Sequence, residues 1–324
     1  VKLAESGADS ATLSQVAGKL SRVTSLDTLL TLRQGALLSS YKTHMINIAS
    51  NMGTMVSAVP ERFLAGAISA ARGGDGVAMR EGVEMVRVVI GGAWDALNIA
   101  GRAFKDNVEF DLATKIPEAR LRTITSGNLS QNTLGKSIGL ASRALGGKAL
   151  GEGGMADHLV NGLGWLADLP FRALGAEDAF FKHLNARMEL HALAWRQAES
   201  EGLKGKAAAG RAADLVSNPP DEMLDAAIKQ ARVQTFTNPN RAASAIQTAL
   251  NQVKVARFVV PFIRTPVNLV KYALDRTPIA PLFADVRADM QAGGARRALA
   301  EARIAMGTSV MVAAGSLASA GKKI

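Results

Sequence analysis

His183, Arg187 and His191 follow one another in steps of four, a spacing that places all three on one side of a helix. Two imidazoles on one helix face could hold a metal, but only from adjacent turns. These two are eight residues apart, and the residue between them is a cation. We therefore expect helix-face histidines with ordinary hydrogen bonds and no metal. Lys136 closes Leu134-Gly135-Lys136-Ser137, which ends like a phosphate-binding loop. That loop needs a glycine five residues before Gly135, where this chain has Ser130, and a strand leading in. The glycines of 146–154 likewise follow no strand, so they do not read as a dinucleotide fingerprint. Glu177 with Asp178, and Asp221 with Glu222, are adjacent pairs that point about 100° apart on a helix. They cannot flank one substrate atom and read as charges at helix N-termini. No serine lies in a nucleophile elbow and no histidine in a zinc-protease motif. With no cysteine in 324 residues, disulfide scaffolds, thiolate zinc sites and cysteine nucleophiles are excluded. The expectation is a protein without catalytic residues, cofactor or metal.

Charge offers a different chemistry. Lys and Arg number 38 against 28 Asp and Glu, a formal charge of +10 that draws the chain towards polyanions. The excess is segregated. Residues 112–150 hold six basic side chains, Lys115, Arg120, Arg122, Lys136, Arg143 and Lys148, and one acid, Glu118. Residues 226–277 hold eight basic side chains, Lys254, Arg257, Arg264 and Lys271 among them, and one acid, Asp275. These ten named residues are the candidates for facing DNA or another anion. Between the two zones, 152–201 carries eight acids against four basic residues, so pairing between neighbouring helices is the competing reading.

Two stretches of 18 residues carry no formal charge: Thr43 to Pro60, and Ile304 to Gly321. Both fall near the lower length limit for an apolar helix that spans a bilayer. The first contains Asn47, Ser50 and Asn51 and is too polar to insert readily. The second places Gly307, Met311, Gly315 and Ser319 four apart, a pattern that lets helix backbones approach closely. Ile304, Gly307, Met311, Gly315 and Ser319 are accordingly candidates for membrane entry or helix packing. For both stretches a buried core helix or an inter-subunit helix is the preferred reading. A third apolar zone, Val253 to Leu282, is broken by Pro261, Pro266, Pro278 and Pro281, which predicts short, bent helices. Its basic residues would suit an anionic membrane surface or the margin of a core.

The elements that position these residues are helices. Strand signals are nearly absent, and only 15 residues are aromatic, which suits close-packed helices built on Ala, Leu, Val, Ile and Met. Leu13, Val16, Leu20, Val23 and Leu30 mark a helix within 11–33. Phe181, Leu184, Met188, His191 and Trp195 mark a clearer one over 178–201. Ser217-Asn218-Pro219-Pro220-Asp221-Glu222 and Thr237-Asn238-Pro239-Asn240 are breaks. The fold class expected is all-α, an extended multi-helix assembly with Pro- and Gly-broken helices and little or no β. The organisation expected is an N-terminal helical region at 1–145, a Gly-rich hinge at 146–154, a central helical region at 155–252 and a Pro-broken C-terminal region at 253–324. A first residue of Val and an end just after an apolar segment suggest a piece of a longer polypeptide.

Leu37 to Asn51 (LLSSYKTHMINIASN) resembles a stretch common in very large proteins of tailed phages, and Val260 to Val270 (VPFIRTPVNLV) resembles a second one downstream in the same proteins. A Gly/Ala-rich apolar helix follows there too, like Ile304 to Gly321. These are the large internal virion, or ejection, proteins of short-tailed bacteriophages, some of which carry a virion RNA polymerase or a transglycosylase elsewhere. The resemblance implies a protein packaged with the genome that leaves through the portal and tail. It would help form a conduit for DNA across the host cell envelope. It implies double-stranded DNA, other ejection, portal or tail proteins, the host inner membrane and further copies of the chain as partners. The location implied is the virion, with delivery into the envelope on infection. It carries over no catalytic residue. The alternative is a helical segment that packs against portal, tail or sister ejection proteins without touching DNA or lipid.

Overall fold

The computed structural model describes residues 24–74, 76–109, 118–119, 124–252 and 263–321. Within them the chain is all-α, with twelve α-helices. The only other regular structure described is one 3₁₀ turn and a pair of two-residue strands. It forms two compact units, one of residues 1–44 and 119–174, the other of residues 45–118 and 175–324. Each unit is discontinuous in sequence, and two long helices contribute to both.

In the first unit α1 (Ser25–Leu38) starts at a capping box. Thr24 accepts from the Asp27 backbone N–H, and Asp27 accepts from that of Thr24. Only the part of the expected 11–33 helix from Ser25 onward lies in the described residues. The helix α2 (Tyr41–Ala71) begins here and continues into the second unit, where α3 (Val77–Asp106) follows it. The strands β1 (Val108–Glu109) and β2 (Glu118–Ala119) pair with each other. Two short helices, α4 (Ser126–Ser130) and α5 (Thr133–Ala144), lead to the start of the 46-residue α6 (Met155–Ser200). Ile124, Leu129, Leu150 and Val160 form the small core of this unit.

Residues 146–154, expected to act as a hinge, lie inside the first unit and are tied down by hydrogen bonds. Asp157 accepts from the backbone N–H groups of Gly151 (2.7 Å) and Gly154 (2.9 Å). Glu152 accepts from Ala149 N–H (2.9 Å) and from Arg143 (2.6 Å). The stretch is a shaped turn between α5 and α6, with Gly146, Gly151 and Gly153 at positive φ.

In the second unit α2 and α3 form an antiparallel hairpin. Gly66 meets Met79, and Phe63 lies over Gly82; a side chain at Gly66 would collide with the Met79 backbone. The later part of α6 packs on this hairpin. Its predicted stripe is buried as expected at Phe181, Leu184, Met188 and Trp195. Met55, Ala58, Met85, Val88 and Ala96 meet that stripe from α2 and α3. Burying a side chain of this size contributes roughly 1.5–3 kcal/mol. The segment Met85 to Ile90 is helical and lies within α3. The helix expected from 178 extends back to Met155 through Pro170.

The breaks at Pro219-Pro220 and Pro239 appear where expected, and Pro278 and Pro281 fall outside the α-helices; Pro261 lies outside the described residues, and Pro266 lies in the first turn of a helix that starts at Arg264. α7 (Gly205–Ser217) ends before Pro219-Pro220, and α8 (Asp221–Gln234) starts with Asp221 and Glu222 in its first turn. Asn240 caps α9 (Arg241–Gln252), accepting from Ala242 and Ala243 N–H. After 263 come α10 (Arg264–Leu274), the 3₁₀ turn at Ala280–Leu282, α11 (Ala284–Ala292) and α12 (Gly294–Gly321).

Candidate functional site

The C-terminal helix α12 is two different surfaces joined end to end. Its first half is seated: Ala298 and Ala302 pack on Ala65 and Ala78. Arg303 donates to Glu61 Oε2 at 3.1 Å. Gly307 lies against the backbone carbonyl of Arg276, where a Cβ would not fit. Beyond it every residue from 309 to 321 is exposed, including Val310, Met311, Val312 and Leu317. Of the five packing candidates, Ile304 and Gly307 are therefore half-buried against protein, whereas Met311, Gly315 and Ser319 face open space. Among the described residues α12 is the one helix long and apolar enough to cross a membrane.

Glu61 anchors more than α12. It also accepts from Arg276 Nε (2.9 Å), the arginine whose guanidinium stacks 3.5 Å from the Tyr272 ring. One residue on, Arg62 donates to Glu81 at 2.7 Å and to both oxygens of Glu189. Glu81 in turn takes two bonds from Arg196, at 2.7 and 2.8 Å. Glu61, Arg62, Glu81 and Glu189 are all buried. Burial opposes the Arg62 charge, but Glu189 and Glu81 outweigh it and raise its pKa. Burial likewise pushes Glu189 up, and Arg62 outweighs it and holds the carboxyl below its usual range. Sequence reasoning missed this network. One signal pointed to it: between Lys42 and Arg72, Glu61 and Arg62 are the only residues of fixed charge. A buried helix tolerates such a pair only with partners waiting.

The basic candidates separate into three groups. Lys115, Arg120, Arg122, Lys254 and Arg257 lie outside the described residues. Lys136 and Arg143 stand seven apart on α5, both exposed, with exposed Lys148 just after the helix; Arg143 also pairs with Glu152. Arg264 is exposed at the start of α10. Lys271 is half-buried and held by Asp275 (2.7 Å) and Asp285 (2.6 Å). It borders a cleft of about 320 Å³ also lined by Asn268, Tyr272, Arg296 and Arg303. Most cations of that cleft are paired: Arg296 with Asp289, which also lines it, and Arg276 and Arg303 with the buried Glu61 behind it.

His183 and His191 are both half-buried on α6, and, in place of the ordinary hydrogen bonds expected, the Nε2 of each is buried with no hydrogen-bond partner among the described residues. Burial, reinforced by the Arg187 charge, depresses the His183 pKa to about 4 and lowers that of His191. Arg187 itself donates to Asp95 at 2.7 Å. A cation beside two neutral imidazoles disfavours a second cation there. No group of three or more metal-ligating side chains is gathered among the described residues. No protein-family profile, curated protein or solved structure matches this chain.

Proposed function

We propose that this chain is a non-enzymatic, helical segment of a phage internal virion, or ejection, protein that helps the genome cross the host cell envelope. The observation that carries the reading is the outer part of α12: an uncharged, apolar, fully exposed helix end on an otherwise seated helix. The exposed part, 309–321, is roughly 20 Å long at 1.5 Å per residue; the whole uncharged stretch from Ile304 is roughly 27 Å, so spanning a bilayer core requires residues 304–308 to leave their seat. Lys136, Arg143 and Lys148 offer an exposed basic edge to DNA. A chain without disulfides, built on small side chains, is suited to unfolding through a narrow channel and refolding. In this role the chain resides in the virion before it enters the envelope.

Flotation of the purified chain with anionic liposomes, at low and at high salt, tests this. Binding that survives high salt and is lost in Val312→Asp supports insertion through α12. Binding lost at high salt means surface electrostatics alone, and leaves DNA as the partner. No flotation at either salt favours the second reading, a scaffold that packs against portal, tail or sister ejection proteins. The internal pairing of Lys271 with Asp275 and Asp285 is the observation on that side, since it withholds one cation from an external anion.

A further inference from the structure

The α2–α3 hairpin buries one face against α6 and leaves the opposite face uncovered. On α2 the uncovered side chains include Met45, Met52 and Val56; on α3 they include Val86, Ile90 and Trp94. Ile90 is 78% exposed, Trp94 71%, Met45 60% and Val56 59%. The contacts Gly66–Met79 and Phe63–Gly82 set the antiparallel register. Continued one residue for one, that register puts Val56 level with Val89 and Met52 level with Ala93, each one residue from Ile90 and Trp94. Helical periodicity then turns both stripes the same way, away from Met55, Met85 and Val88. They form one continuous apolar face.

This face has three properties that together name its occupant. It is large: half-exposed side chains of this size, with their neighbours Val83 and Leu97, sum to on the order of 1,000 Å². A stable interface needs roughly 800 Å² per partner. Its centre is uncharged: no exposed α2 residue from 45 to 71 is ionised, and the exposed charges of α3 (Arg80, Arg87, Asp95, Arg102, Lys105 and Asp106) lie on the side away from α2, with Arg87 bordering Trp94. It also carries its own complement. A Cβ at Gly53 or Gly91 would meet nothing, so open notches lie level with the bulk of Ile90 and Trp94.

We infer that this face is a self-association surface, on which a second copy of the chain seats its own α2–α3 hairpin to close a four-helix bundle. In the arrangement that fits, each α3 lies over the partner's α2. Ile90 and Trp94 fall on either side of the opposing Gly53. The two basic edges of α3 are then kept apart, each beside the uncharged outer edge of an α2. The inference stands on this face alone and does not depend on α12 entering lipid.

Sedimentation velocity of the full chain over a wide micromolar range is the test. Wild type should dimerise with rising concentration. Ile90→Lys should weaken dimerisation at least about 100-fold, and Val56→Lys should do the same, both with unchanged far-UV circular dichroism. Because the chain has no cysteine, register can be read directly. Two tagged copies, one Gly53→Cys and one Trp94→Cys, should cross-link on mild oxidation, whereas Gly53→Cys with Arg102→Cys should not. A wild type that stays monomeric throughout would overturn the inference, as would a mass unaffected by both lysine variants. A monomer whose liposome binding vanishes in Ile90→Lys would overturn it in favour of a lipid-facing surface.

Discussion

Arg62 and Glu81 meet at 2.7 Å inside the second unit, and neither side chain is more than 3% exposed. Glu81 is shared, since Arg196 holds it from the other side. Removing the carboxylate would leave two guanidiniums facing one another with Glu189 as their remaining buried acid. Glu81→Leu should therefore lower stability by about 3–5 kcal/mol, the cost of an unmatched buried charge. Urea denaturation followed by circular dichroism measures it. A loss under about 1 kcal/mol would show that the arginines relax to solvent.

Acid should destabilise the fold through His183. Its pKa falls from the ordinary 6.5 to about 4 on folding, so the unfolded chain takes up the proton first. Stability is complete above pH 6.5 and declines as pH falls towards 4. Replacing the residue with a neutral amide, His183→Gln, removes this proton uptake. The melting temperature of His183→Gln should vary less between pH 7 and pH 4.5 than that of wild type. Parallel slopes would refute the assignment.

The two glycines Gly307 and Gly315 should part company on substitution. Gly307→Ala drives a methyl into the Arg276 carbonyl and should cost about 1–3 kcal/mol. Gly315→Ala meets nothing and replaces a poor helix former, so it should stabilise by up to about 1 kcal/mol. Thermal melts of the pair decide the matter, and equal effects would mean that α12 is not seated at Arg276.

Asp157 should control the turn at 146–154. Its carboxylate is held below the usual range by the Gly154 and Gly151 backbone N–H groups, whose bonds shape the turn. In Asp157→Ala, limited proteolysis should cut within 146–154 faster than in wild type. An unchanged digestion rate would show that Glu152 and the glycines suffice.

Local periodicity made much of the helical architecture legible. The stripe from Phe181 to Trp195 and the stop at Pro219-Pro220 depend on neighbours in sequence, and both stand in the structure. What depends on distant partners was not legible. Arg62 is 127 residues from Glu189, and Glu61 is 242 from Arg303. No spacing rule links them. The glycines of 146–154 suit a hinge or a turn equally, and the choice rests with two carboxylates, Glu152 and Asp157, whose aim is a tertiary property. The apolar stretch from Thr43 to Pro60 divides between a buried side and an uncovered one, which composition alone does not separate.

The half-seated α12 has a mechanical consequence. Among the described residues its last anchor to the second unit is near Gly307, and the 309–321 segment continues from that anchor as one exposed helix. A sideways push on the exposed segment is delivered, with the leverage of its length, to Arg303 and through Glu61 to Arg276. Whatever grips the exposed part of this helix therefore pulls on α10 as well, and a local capture becomes a torque within the second unit.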